Sequence, residues 1–219
     1  MFIGHYGPAL AAPVLVRTVP LWALFFAVQF IDVVWGVLIL AGIEQVRIVP
    51  GFTDVSPLDL HHMPYTHSLP GALALSALLG LAYWLIARKA RLAGGLLVAA
   101  ACFSHWLLDL IVHVPDLLLW PGGPMVGFGL WDNLELALGL EVALVIAGLV
   151  FYLRATRGKG IIGRIWPFVL VGVLLALEAI HLLGEPPASG EELAMTSLAV
   201  FLILTGLAAV ADLTRESRA

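Results

Sequence analysis

Residues 91–113 read RLAGGLLVAAACFSHWLLDLIVH. From Leu92 to Val112 the run is apolar and long enough to cross a bilayer as a helix, which takes about 20 residues at about 1.5 Å each. Yet it carries His105 and Asp109 one turn apart on one face, and His113 continues the stripe. A charged side chain near the bilayer centre costs about 2.5–3.5 kcal/mol on insertion scales, so such residues persist when paired, hydrated or bound to something.

The rest of the chain agrees with a membrane setting. Hydrophobic residues make up 61% of the 219 residues and charged ones 12%, with a mean hydropathy of +1.02, all far from a soluble domain. Apolar runs of spanning length occur at Leu21 to Ile43, Leu69 to Ala87, Leu92 to Val112, Leu134 to Leu153, Ile165 to Leu183 and Leu193 to Ala211. The expectation is an all-α integral membrane protein, a bundle of about six transmembrane helices in one domain over residues 1–219. The longest connections, Glu44 to Ser68 and His113 to Asn133, are rich in Pro, Gly and Asp and too short for a soluble domain. No internal repeat stands out, and the single Cys102 excludes an internal disulfide and reads as a packing residue.

Basic residues gather in alternate connections, at Arg88, Lys89 and Arg91, at Arg154, Arg157, Lys159 and Arg164, and in the tail at Arg215 and Arg218. The other connections carry Asp54, Asp59, Asp116, Asp132, Glu185, Glu191 and Glu192 with only Arg47 among them. By the positive-inside rule the basic side is cytoplasmic, and six spans place both termini there. Residues 1–20 do not read as a cleaved signal peptide, because no basic residue precedes the apolar stretch and Gly4, Gly7, Pro8 and Pro13 interrupt it. A short interfacial or re-entrant N-terminal helix fits better and can bring His5 toward Asp32.

Counted along the helices, Asp32 and His105 share a level near the midplane, and His67 opens the second span from the outer side with His61 and His62 just before it. Asp with His is the usual vocabulary of a zinc site, and an Asp four residues after a His makes a compact bidentate arm. Interhelical hydrogen bonding between buried polar groups is the plainer alternative, and it strains to explain so many ionisable groups at matched depth.

These residues also resemble a family. Gly4-His5, an Asp closing the next apolar stretch, His62-Met63-Pro64-Tyr65-Thr66-His67-Ser68-Leu69 and Ser104-His105-Trp106-Leu107-Leu108-Asp109 are similar to the motifs of the bacterial YdjM-like predicted membrane-bound metal-dependent hydrolases. The likeness covers residues 1–125, leaving 126–219 as additional transmembrane helices. It implies a metal set of His5, Asp32, His62, His67, His105 and Asp109, with Thr66 and Ser68 orienting a histidine, and a bacterial or archaeal inner membrane. Two departures are plain: Ile31-Asp32-Val33 lacks the family's Pro-Asp-x-Asp doublet, and Met63 stands where the family has Arg.

A mixed His and Asp site without thiolates points to catalysis, with zinc the first candidate and manganese or iron behind it. Such an ion lowers the pKa of bound water and supplies a Lewis acid, so hydrolysis follows, with Asp32 or Asp109 as general base. Site depth favours a lipid or lipid-linked ester or phosphoester as substrate. The alternatives are a divalent cation or proton transporter using the same cluster, and a non-catalytic protein with a structural metal. The absence of His-Glu-x-x-His gives no support to a zincin-type protease, and net charge −4 argues against nucleic acid. Ser104, His113 and Glu141 are candidates for the surrounding shell. His61, Glu135, Glu178 and His181 read more plainly as pairing or solvated groups, Asp54 and Asp59 as solvated, and Trp22, Trp84, Trp120, Trp131 and Trp166 as interface anchors.

Overall fold

The computed structural model describes residues 1–218. Five helices are long and apolar enough to cross a membrane: α4 (Leu69–Ile86), α5 (Arg91–Val112), α6 (Leu134–Ala155), α7 (Gly160–Leu183) and α8 (Gly190–Thr214). A pair, α2 (Leu21–Val28) and α3 (Phe30–Leu40), bent by 50° at Gln29, is long and apolar enough together to count as a sixth span if it crosses as one unit. The chain is therefore an all-α membrane bundle. Its outer surface exposes large apolar side chains, among them Leu78, Leu85, Ile86, Leu96, Ile161, Phe168, Leu202 and Ile203, as lipid contact requires.

Helix starts follow local chemistry. Ser68, Asn133 and Ser189 cap α4, α6 and α8 by accepting the amides of Gly71, Leu136 and Glu192. Glu192 in turn accepts the Ala188 amide, so the cap at α8 is reciprocal. α7 and α8 begin earlier than their apolar runs, because Arg164 and the acidic first turn of α8 belong to the helices although hydropathy stops short of them. α2 lacks a side-chain cap of its own, and Asp212 of α8 accepts the Leu21 and Trp22 amides at 2.8 and 3.0 Å instead. α5 ends at Val112, with His113 as its extended C-cap two residues ahead of Pro115, which cannot continue a helix.

The N-terminal segment is re-entrant rather than interfacial. The turn Ile3–His5, α1 (Tyr6–Ala11) and the turn Ala12–Val14 lie inside the bundle, with Ile3, Tyr6, Ala9 and Leu10 fully buried. Close approach of α1 to α6 makes this possible: a Cβ on Gly148 would stand 2.5 Å from the Gly7 carbonyl oxygen, and one on Gly7 would stand 2.7 Å from that of Leu144. Gly80 of α4 and Gly95 of α5 face each other in the same way. As a result Met1 does not share an end of the bundle with the C-terminal residues, as an even count of spans alone would require. Its nitrogen is buried beside Asp109, while Arg17 meets Ser217 and Arg218 at the basic end.

The two long connections cover the opposite, acidic end. One holds a hairpin of β1 (Gln45–Ile48) and β2 (Leu58–His62), the other the short pair β3 (Leu117–Leu118) and β4 (Met125–Val126), and the Val55 amide joins them by donating to the Trp131 carbonyl. A third pair, β5 (Thr156–Gly158) with β6 (Arg215–Ser217), closes the basic end. Two apolar clusters fill the interior. One, built on Tyr6, Leu24, Phe25, Val98 and Leu149, runs toward the basic end, and the other, built on Ile31, Trp35, Met63, Trp106 and Trp131, surrounds the polar cluster.

Candidate metal centre

Six ionisable side chains converge where α3, α5 and the start of α4 meet the N-terminal segment. Asp109 is at the centre, with its side chain 2% exposed. Its Oδ2 lies 3.0 Å from His105 Nε2 and 3.8 Å from His67 Nε2, and Asp32 Oδ1 lies 3.2 Å from His67 Nε2 and 3.4 Å from His105 Nε2. Asp109 Oδ1 faces His5 Nε2 at 3.2 Å, His113 Nε2 at 3.5 Å and the Met1 nitrogen at 3.0 Å.

Each of three histidines is held by its far nitrogen. His105 Nδ1 donates to the Val28 carbonyl at 2.7 Å, and that carbonyl is turned toward His105 by the break between α2 and α3. His113 Nδ1 donates to Asp116 at 2.9 Å, and its ring stacks on Trp131. Burial works against a charged His113, yet the Asp109 and Asp116 carboxylates raise its pKa above the ordinary imidazole value.

His67 is held through a relay. The Thr66 hydroxyl donates to Glu44 at 2.6 Å, so its oxygen is left to accept the His67 Nδ1 proton at 2.9 Å. Glu44 itself is buried and fixed by the Tyr65 and Thr66 amides, and the Trp106 indole donates to the His67 carbonyl. With Nδ1 protonated in all three rings, every Nε2 presents a lone pair or a second proton to carboxylate oxygens. Such outer partners are the usual means by which a protein fixes the tautomer of a metal-ligating histidine.

The donor set fits a metal. Buried His105 Nε2 and both nitrogens of buried His5 make no hydrogen bond, although carboxylate oxygens lie within 3.4 Å of His105 Nε2 and 3.2 Å of His5 Nε2. A buried polar group left without a partner costs about 1–3 kcal/mol. Tetrahedral bonds of about 2.0–2.1 Å place neighbouring donors about 3.3–3.4 Å apart. Four of the separations among Asp32, His67, His105 and Asp109 Oδ2 lie near that value, at 3.0, 3.2, 3.4 and 3.8 Å. Two triads, His5 with His105 and Asp109, and Asp32 with His67 and His105, are compact enough to hold an ion.

Not every residue singled out in the sequence reaches this cluster. His62 lies exposed on β2 opposite Gln45, because the turn that follows carries the chain inward only at Met63 and aims His67, not His62, at the site. Ser68 caps α4 and donates to the Pro64 carbonyl, and Ser104 donates to the Ala101 carbonyl within its own helix, so neither orients a histidine. Thr66 does. Glu141 anchors the N-terminal segment, accepting the Phe2 and Gly4 amides at 3.0 and 2.9 Å. Glu44, Asp116, the Val28 carbonyl and Gln29 escape the sequence analysis.

A cleft of about 650 Å³ leads from Asp32, His67, Asp109 and His113 toward the acidic end. Trp35, Leu60, Met63, Leu177, Ile180 and Phe201 give it an apolar wall. Among the described residues no Lys or Arg lines it, whereas Asp54, Glu141, Glu178, Glu185 and Glu192 do. Comparisons of the chain with family models, curated proteins and solved structures found no match.

Proposed function

We propose that the chain is a membrane-embedded hydrolase that uses a divalent metal, zinc first, to cleave an ester or phosphoester of a lipid or lipid-linked substrate. The observation that carries this reading is the convergence of pre-oriented Nε2 atoms and two carboxylates at the foot of a largely apolar cleft. The bound ion supplies a Lewis acid and an acidified water. His67, His105 and Asp109 hold it, and Asp32 divides its work. The Asp32 side chain is 22% exposed, against 2% for Asp109, and only its Oδ1 faces the histidines, so its second oxygen is the one free to take a proton from water in the cleft. Asp109, with both oxygens engaged, is a ligand and not the base.

The apolar wall suits acyl or prenyl chains, and the lack of basic residues leaves metal as the counter-charge for a phosphoryl group. The resemblance to the YdjM-like hydrolases, carried by Thr66-His67-Ser68 and Ser104 to Asp109, supports the same chemistry. A transporter needs a path to both faces, and fully buried Tyr6, Leu10, Leu24 and Phe25 fill the bundle between the site and the basic end.

The test is turnover of fluorogenic long-chain esters and phosphoesters by detergent-purified, metal-loaded protein. Asp32→Asn is expected to keep the metal and lose about 10²-fold or more of the rate, the usual worth of a general base. Uptake of zinc or manganese into proteoliposomes, without turnover of any ester, overturns the hydrolase reading in favour of transport.

A further inference from the structure

We propose that Asp109 bridges two metal ions, the second held on its Oδ1 side by His5 and His113. The proposal rests on the metal-site reading above and adds the number of ions and the ligands of each.

A carboxylate that serves one ion offers its other oxygen to hydrogen-bond donors. Asp109 Oδ1 accepts one such bond, from the Met1 nitrogen at 3.0 Å, but it faces more than that donor. The Oδ2 of Asp109 belongs with His105 and His67, and its Oδ1 faces two further imidazole nitrogens, His5 Nε2 at 3.2 Å and His113 Nε2 at 3.5 Å. His113 Nδ1 is committed to Asp116, so Nε2 is the nitrogen left to face Oδ1. His5 is fully buried and neither of its nitrogens has a hydrogen-bond partner, which leaves this ring unexplained by protein contacts alone.

Ring geometry assigns His5 and His105 to different ions. The two imidazoles are stacked, centroids 3.8 Å apart and planes 9° from parallel. An imidazole lone pair lies in the ring plane, so nearly parallel rings direct their lone pairs side by side. A single ion between them would sit out of plane for at least one, where no lone pair points. The spacing of the rings instead matches the separation of about 3.5–4 Å found in two-metal hydrolytic sites. The second ion then has three protein donors, His5, His113 and Asp109 Oδ1, and faces the cleft, which His113 and Asp109 both line. A second divalent charge also answers the cleft's lack of Lys and Arg, since two ions together neutralise a phosphoryl group that the side chains cannot.

Detergent-purified protein, loaded with manganese and freed of excess ion, should hold about two ions per chain and show the spin-coupled magnetic resonance spectrum of a close pair. His113→Ala and His5→Ala should each hold about one ion and show the spectrum of an isolated one, with Asp32 and His67 still ligating. His113→Gln, which keeps volume and polarity, guards against loss of folding, judged by gel filtration. One ion per chain in the wild type, with an isolated-ion spectrum that His113→Ala and His113→Gln leave unchanged, overturns the second site while the single-metal reading stands. No bound ion in folded wild type overturns both.

Discussion

Thr66 shows how much of this site depends on a single hydroxyl. It passes the Glu44 carboxylate's pull to His67, and without it the Nδ1 proton loses its acceptor and Glu44 loses a donor. Thr66→Val should weaken metal binding by about 10–100-fold, the usual effect of losing such an outer partner, with the fold intact. Thr66→Ser should restore most of it, and a metal titration followed by calorimetry reads both. The histidine stripe of α5 and the Asp32 level were legible in the sequence because helical spacing alone puts them together. Glu44 and Asp116 were not: each follows a span and resembles any solvated loop acid, and only the folding of the connections back over the bundle buries Glu44 and brings Asp116 to His113. His62 misled for the opposite reason, since motif likeness cannot tell which of two nearby histidines a turn will aim inward.

At the level of elements, hydropathy located the five long helices and the bent pair, because lipid and core demand the same apolar residues, but it could not see the break at Gln29. That break is a backbone event, with Gln29 at φ −109° and ψ 4° and its amide bonded to Phe26. Nor could it see that Asp212 caps a helix nearly two hundred residues away in sequence. Asp212→Ala should cost about 0.5–2 kcal/mol, the range for a lost helix cap, and lower the midpoint of thermal unfolding without changing metal content. Gly148→Val tests the seat of the N-terminal segment. Its added carbons meet the Gly7 backbone, so α1 should be displaced, His5 drawn away from Asp109, and metal content reduced in protein that still migrates as a monodisperse bundle.

For the whole molecule, the charge bias gives a direction that labelling can check. Cys102 is buried, so the native chain should be silent to an impermeant maleimide. Lys159→Cys in intact cells should stay unlabelled until the membrane is opened, and Asp54→Cys should react at once. The reverse pattern would place the cleft on the cytoplasmic side. The apolar plug of Tyr6, Leu24 and Phe25 beneath the cluster has a consequence for where the ion comes from. A site sealed on one side and open on the other is supplied by a single compartment. If the acidic end faces outward, a metal bound at this cluster should load after insertion and come from beyond the cytosol, whatever the cell's internal store. A chelator that cannot cross the membrane should then strip the protein in whole cells, and starvation of the medium, not of the cytoplasm, should set its occupancy.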